Sequence, residues 1–147
     1  MIVVVADTSG LLAALDSAHP EHQGANEAIM AAGLLVMSPL LLAEIDHVAT
    51  RELGRAAAVS AIDDIQRWMR ASRIAVPEIT EAHLSAAQAV RARYTALNLD
   101  LADSVNVALA AEYDTDAVLT LGRRDFRAVR PIGRHKSFRL LPDDLPL

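Results

Sequence analysis

The chain opens with an apolar run that has no polar side chain on either face of an extended segment. Ile2 to Ala6 are all aliphatic, and the run ends at Asp7. Strands of parallel sheets carry such continuous apolar runs because helices cover both faces of the sheet. The start of the chain therefore predicts a buried parallel strand, which restricts the fold to a sheet with helices packed on it.

The rest of the chain alternates between short apolar runs and longer stretches with apolar residues at helical spacing. Strands are predicted at 2–6, 34–37, 74–76, 117–120 and 138–141. Helices are predicted from Thr8 onward, where Thr8 and Ser9 can provide a cap, and at 21–32, 38–53, 55–71, 80–94 and 101–113. The order β-α-α-β-α-α-β-α-α-β-β predicts an α/β fold with helices on both faces of the sheet.

Length and composition exclude several classes of protein. A chain of 147 residues with 52% hydrophobic residues fits one domain, residues 1–147, with a single core. Because cysteine is absent, there is no disulfide framework or thiolate zinc site. No apolar run reaches the ~18 residues of a membrane span, and the start lacks the basic region of a signal peptide. We expect a cytoplasmic protein without a membrane partner.

Three acidic residues lie where a folded domain rarely places them without a partner. Asp7 ends the first strand, Glu44 interrupts the apolar helix face of Leu41 and Ile45, and Asp103 opens a later helix. Buried carboxylates are usually paired or bound to a cation, and these three have no equal set of basic neighbours. Carboxylate oxygens favour Mg²⁺ or Mn²⁺, and phosphodiester hydrolysis is the usual use of such a site.

Each of these acids also has a purely structural interpretation. Asp7 is suited to cap a helix. Glu44 is suited to the boundary between core and solvent. Asp103 is suited to the third position of a capping box begun by Asp100. The placement of all three at predicted strand ends or helix starts favours the metal site, since parallel sheets bind ligands at the carboxyl ends of their strands.

The basic residues are concentrated near the end of the chain. Residues 122–139 hold seven basic residues against Asp125 alone, although the whole chain has a net charge of −5. Such a segment, with Arg123, Arg124 and Arg127 at its start, can bind RNA phosphates. The alternative is a basic surface that contacts only solvent.

Four segments resemble, in order, the sequence blocks of PIN-domain ribonucleases. Residues 5–13, VADTSGLLA, are similar to the opening pattern V-x-D-T-S-x-L-L-A. Residues 38–46, SPLLLAEID, resemble the S-P-x-x-x-A-E-(L/I)-D block. Residues 99–110, LDLADSVNVALA, resemble the central L-A-D-(A/S) helix, and residues 119–126, LTLGRRDF, resemble the closing T-L-D-R-R-D-F segment. The chain as a whole resembles the toxin half of a VapBC-type bacterial toxin–antitoxin pair.

This resemblance implies a fold, an activity and a set of partners. The implied fold is a three-layer α/β/α domain with a mostly parallel central sheet. The implied protein is an Mg²⁺- or Mn²⁺-dependent endoribonuclease that forms a homodimer and is inhibited by a cognate antitoxin. Residue by residue, it implies Asp7, Glu44 and Asp103 as catalytic metal ligands, Thr8 and Ser9 as supporting residues, and Asn106 in the lining of the site.

One position departs from the family pattern. Its fourth acid falls on Gly122, which has no side chain, and either Asp125 or Asp100 is a candidate to replace it. The departure leaves a second function open, a PIN-like module that binds antitoxin or RNA without efficient cleavage. A phosphatase or flap-type nuclease with the same acids is a third, weaker alternative, since the chain has no helical arch or extra domain.

Overall fold

The structure is a computed structural model that describes residues 2–147. Its strands are β1 (Val3–Ala6), β2 (Leu34–Met37), β3 (Ile74–Ala75), β4 (Ala117–Leu119) and β5 (Arg139–Leu141). Its helices are α1 (Thr8–Leu15), α2 (His22–Ala31), α3 (Leu40–Leu53), α4 (Arg55–Arg70), α5 (Glu81–Arg93), α6 (Leu101–Glu112) and α7 (Arg123–Ala128).

The five strands form one sheet in the order β3-β2-β1-β4-β5, and every neighbouring pair is parallel. This confirms the predicted α/β fold and extends the expected mostly parallel sheet to a fully parallel one. The last residue of β1, Ala6, is level with Met37 on one side and Leu119 on the other. The strand order reverses at β1, and ligand sites of such sheets lie outside the carboxyl ends at that point. Asp7 follows β1 at this edge.

Helices cover both faces of the sheet, as the apolar run of the first strand predicted. Val4 packs into a core formed with α1 to α4, where Leu11 and Ile45 are fully buried. Val5 points to the opposite core, which α5, α6 and α7 complete with residues such as Val105. Alternate side chains of the strand thus enter two separate hydrophobic layers.

Two details of the predicted elements were wrong. The sequence interpretation placed no helix between the last two strands, whereas α7 lies there with Phe126 buried against Phe138 at a ring-centroid distance of 6.0 Å. Thr8 and Ser9 do not cap α1, since both are inside the helix and Asp7 occupies the N-cap position. A six-residue helix is too short to show a periodic pattern, so only its packing reveals it. No helix within residues 2–147 is long and apolar enough to cross a membrane.

Candidate metal centre

Asp7 is held in place by hydroxyl groups and not by a basic side chain. The Thr120 hydroxyl donates a hydrogen bond to Asp7 Oδ2 at 2.8 Å, and the Ser9 hydroxyl donates to the same oxygen at 3.2 Å. The carboxylate makes no capping hydrogen bond to α1, although the residue is the N-cap. Asp7 is 8% exposed, and this burial raises the pKa of its carboxyl above the ordinary value.

Glu44 lies in the second turn of α3, which Ser38 starts by accepting a hydrogen bond from the Leu40 amide at 3.2 Å. The side chain is half-buried. Burial raises the pKa of the Glu44 carboxyl, and the negative charges of Asp100 and Asp7 add to the increase. Glu44 thus lies at the boundary between core and solvent, where the charges of Asp7 and Asp100 act on it.

Asp103 and Asp100 form the capping box that the structural interpretation described. The Asp103 amide donates to Asp100 Oδ1 at 2.8 Å, and the Asp100 amide donates to Asp103 Oδ2 at 3.3 Å. Burial raises the pKa of Asp103 to about 7, with further increases from the charges of Asp7 and Asp100. The capping box therefore also belongs to the group of acids around Asp7.

The four acids Asp7, Glu44, Asp100 and Asp103, hereafter the acidic cluster, have no cationic partner in the described part of the chain. None of the ion pairs found within residues 2–147 includes any of them. Asp7 follows β1, Glu44 lies on α3, and Asp100 and Asp103 are at the start of α6; their charges act on one another. Such mutual repulsion favours protonation or a bound cation.

Two neutral oxygens beside the cluster also lack a partner. Thr8 Oγ1 and Asn106 Oδ1 are buried and make no hydrogen bond within the described part of the chain. The Thr8 hydroxyl is near enough to Glu44 to lower its pKa, and the Asn106 amide donates to the Ala6 carbonyl at 3.4 Å. Carboxylate, hydroxyl and amide oxygens are hard donors, and this donor set fits Mg²⁺ or Mn²⁺.

The donor set is not a closed cage. Across residues 2–147, no three Asp, Glu or His side chains are arranged as a ready coordination group. Mg²⁺ retains several of its waters, so acids that do not form a closed cage can bind it directly or through those waters.

At the position of the family's fourth acid, the backbone itself is ordinary. Gly122 has φ −80°, so it does not need the left-handed conformation that favours glycine. A Cβ added there would contact only Thr120 Oγ1, at 3.3 Å. Of the two candidate replacements, Asp100 belongs to the acidic cluster, whereas Asp125 lies in the first turn of α7.

Thr120 is the residue that the sequence interpretation missed. Its hydroxyl donates to Asp7, accepts from the Gly122 amide at 2.9 Å and lies 3.4 Å from Ser9 Oγ. The Ser9 hydroxyl in turn accepts from the Leu121 amide at 2.9 Å. These bonds join the end of β4 to the start of α1 around the Asp7 carboxylate. Thr120 is the threonine of the closing sequence block, residues 119–126, and that match is the sequence signal that indicates it.

The basic residues at the end of the chain are mostly neutralised within the fold. Arg123 pairs with Glu21 and Asp143. Arg127 donates two hydrogen bonds to Asp144, each of 2.7 Å. Arg124 is exposed and is in no ion pair with residues 2–147. The positive charge of the sequence segment is thus not a measure of the charge available to a ligand.

Comparisons with known proteins give the same picture of the fold. The model of the PIN domain family matches residues 4–130. The chain is 35% identical over 131 residues to Ribonuclease VapC26 of Mycobacterium tuberculosis, covering 88% of this chain and 94% of that protein.

Three solved structures are similar to this one at low sequence identity. VapC20 of Mycobacterium tuberculosis, a toxin that cleaves the sarcin-ricin loop, has TM-score 0.70 and 18% identity over 82% of this chain and 90% of its own. VapBC2 of Rickettsia felis, bound to a promoter DNA fragment, has TM-score 0.66 and 14% identity over 95% and 99%. A toxin–antitoxin complex from Klebsiella pneumoniae has TM-score 0.60 and 20% identity over 89% and 99%. These similarities establish a shared fold.

Proposed function

This chain belongs to the PIN domain family, and on that premise we propose that it is a metal-dependent endoribonuclease acting as the toxin of a bacterial toxin–antitoxin pair in the cytoplasm. The observation that carries the proposal is the acidic cluster, four carboxylates without a cationic partner at the carboxyl edge of the sheet. The relative with 35% identity, a ribonuclease, supports the choice of RNA as substrate.

We assign Asp7, Glu44 and Asp103 as ligands of Mg²⁺ or Mn²⁺, with Asp100 supplying the charge that Gly122 does not. When bound, the ion supplies a lowered pKa for a bound water and a positive charge near the scissile phosphate. Thr120 and Ser9 fix the position of the Asp7 carboxylate through their hydroxyl groups. The oxygens of Thr8 and Asn106 remain available to a ligand or to its waters.

Substitution of Asp7 tests this assignment. Asp7→Asn keeps an oxygen that accepts from Thr120 and Ser9, but it removes the charge that a divalent ion requires. We expect a loss of RNA cleavage of about 10²-fold or more in an Mn²⁺-titrated assay. Asp46→Asn is the matched control because Asp46 is exposed, lies on the same helix as Glu44 and is outside the acidic cluster. Wild-type cleavage by Asp7→Asn would overturn the assignment.

We also propose an antitoxin partner and place it against the groove between α1 and the α3–α4 pair. Two depressions that share Leu12, Ala49 and Leu53 form this groove, and its lining also includes the acids Asp16, Glu52 and Asp64. One end of the groove reaches Ser9, which donates to Asp7, so a segment bound there would lie beside this acid. Similar folds that carry a bound antitoxin support this partner.

A charge placed in the groove tests its role. Leu53→Asp should abolish capture of the toxin by its antitoxin, because Leu53 is a half-exposed side chain of the apolar lining. Met30→Asp, on the exposed surface of α2, is the control. Equal capture of both variants would place the antitoxin elsewhere. Sedimentation velocity of the toxin alone tests the homodimer that the family relationship suggests.

A module that binds RNA or antitoxin without efficient cleavage is the second candidate function. Gly122 favours it, since the site has one acid fewer than the family pattern at this position. Absence of cleavage by the wild-type protein at saturating Mn²⁺, together with retained antitoxin capture, would select this function over the nuclease.

A further inference from the structure

We propose that the groove between α5 and the segment after α7, hereafter the α5 groove, binds one nucleotide of single-stranded RNA outside the acidic cluster. Its main lining residues are Val90, Arg93, Tyr94, Arg130 and Ile132. The inference rests on the proposed function in one respect, which is that RNA is the occupant.

The charge of the α5 groove favours an anionic ligand. Arg93 and Arg130 line it, and neither is in an ion pair within residues 2–147. No acidic side chain is among its lining residues. In contrast, Arg123 and Arg127 of the same basic segment are already paired with carboxylates. Two unpaired guanidinium groups on one groove are suited to a phosphate.

Tyr94 gives the groove a fixed, flat surface. Its hydroxyl accepts a hydrogen bond from the Arg130 amide at 3.0 Å, which ties the end of α5 to the segment after α7. The Arg93 guanidinium lies over the Tyr94 ring, 5.5 Å from the centroid. Guanidinium groups and aromatic rings are surfaces on which nucleic-acid bases stack without sequence preference.

The size and the apolar wall of the groove suit a base with its phosphate. The groove encloses about 450 Å³, within the range of small-ligand sites. Ile132 is 50% exposed at its rim, and Val90 forms part of its floor. An apolar wall with cations on one side fits a nucleotide, because the base can contact the wall and the phosphate can contact the cations. A free inorganic anion would make only the second kind of contact.

The groove is also close to the acidic cluster along the chain. Tyr94 ends α5, and Asp100 caps the start of α6 six residues later, so the two lie at most about 20 Å apart. The helices α5 and α6 pack along each other, which places this connection at one end of the pair. An RNA strand that passes the acidic cluster can therefore reach the α5 groove with a nucleotide a few positions away.

The test is RNA binding by variants of the two free arginines, measured apart from cleavage. Fluorescence anisotropy with a labelled single-stranded RNA, in EDTA to prevent cleavage, should show about 10-fold or weaker binding for the double variant Arg93→Ala and Arg130→Ala. For the same double variant, the slope of the logarithm of the binding constant against the logarithm of the salt concentration should decrease in magnitude by about 1 to 2. Arg70→Ala, at the exposed end of α4, is the matched control. The single variant Arg130→Gln keeps the hydrogen bond from the backbone amide of residue 130 to the Tyr94 hydroxyl. It should also bind RNA more weakly than the wild type, and it replaces the double variant if the latter does not fold.

The outcomes separate this inference from the proposed function. If the wild type cleaves RNA and the arginine variants bind RNA as tightly as it does, the groove assignment is overturned and the nuclease stands. If the variants lose RNA binding but the wild type shows no cleavage in Mn²⁺, the groove is supported and the nuclease is not. If the variants instead dissociate a dimer and keep their RNA affinity, the groove is an interface between copies, and the inference is overturned.

Discussion

Asp103 keeps its proton into the neutral range when the acidic cluster holds no cation. Its carboxyl has a pKa raised from 3.8 to about 7, first by burial and then by the charges of Asp7 and Asp100. Between pH 3.8 and about pH 7, the Asp103 carboxyl holds its proton in the folded state and loses it in the unfolded state. The free energy of unfolding therefore falls as pH rises through this range. The stability that the metal-free protein has at pH 4 is therefore partly lost at pH 7.

Asp103→Asn should remove this pH dependence, because the amide has no charge to desolvate and its oxygen can still accept from the Asp100 amide. We expect a gain of about 1–2 kcal/mol at pH 7.5, after a discount for solvent screening, and almost none at pH 4. Urea denaturation at both pH values in EDTA measures it. Asp63→Asn, at an exposed position of α4, is the control. An equal gain at both pH values would mean that the charge of Asp103 is not the cause.

Gly122 is a position where one substitution can restore the family pattern. Its backbone conformation suits any residue, and a new Cβ meets only the Thr120 hydroxyl. Gly122→Asp should therefore fold and add a hard oxygen ligand, tightening Mn²⁺ binding by about 10-fold and raising the cleavage rate. Calorimetric titration compares it with Gly122→Asn, which has the same shape without the charge. Equal Mn²⁺ affinity in wild type and Gly122→Asp would show that Asp100 already fills the fourth place.

Helix α1 approaches the sheet so closely that only glycine fits at its contact with β4. A Cβ at Gly10 would lie 2.6 Å from both the Leu119 carbonyl oxygen and Leu119 Cγ. This contact places the start of the helix, with Asp7 and Ser9, beside the end of β4, which Thr120 follows. The geometry of the candidate metal centre thus depends on a packing distance as well as on its polar residues.

Gly10→Ala should destabilise the protein by about 1–3 kcal/mol, because the backbone of β4 cannot yield as a flexible side chain would. The gain of about 1 kcal/mol in helix propensity acts against this loss. Gly133→Ala is the control, since nothing lies within 4 Å of the added Cβ. Chemical denaturation measures both variants, and unchanged stability of Gly10→Ala would show that α1 can move away from the sheet at little cost. Weaker Mn²⁺ binding should accompany the loss.

The proposed metal site would couple the folding of the whole molecule to metal binding through the acidic cluster. An ion that binds only the folded state raises its stability, and its ligands must first lose their protons. Mn²⁺ should therefore raise the melting temperature by several degrees at pH 7.5 and by much less at pH 5.5, where Asp103 is protonated. Differential scanning calorimetry with and without EDTA measures the shift, and Asp7→Asn should abolish it. A shift of equal size at both pH values would place Mn²⁺ outside the acidic cluster.

Much of the fold was predictable because it follows from local patterns. The apolar run at residues 2–6 required a strand buried on both faces, and the alternation of strands with helices required a parallel sheet. The predicted bounds of the helices after α1 agree with the structure within two residues, with α7 the one helix absent from the prediction. Its anchor, Phe126, is defined by the opposite Phe138 and not by its own neighbours.

The sequence by itself determined that Asp7 follows a strand and that Asp103 begins a helix, since strand ends and helix caps depend on neighbouring residues. The tertiary structure alone decided which groups meet around them. Thr120 donates to Asp7 across 113 positions, and Arg123 is paired with Glu21 across 102, so neither contact leaves a trace in local spacing. The sequence also did not show that Arg93 and Arg130, near Tyr94, are outside the ion pairs found within residues 2–147. The physical reason is the same, because a count of arginines does not reveal which carboxylates the fold brings beside them.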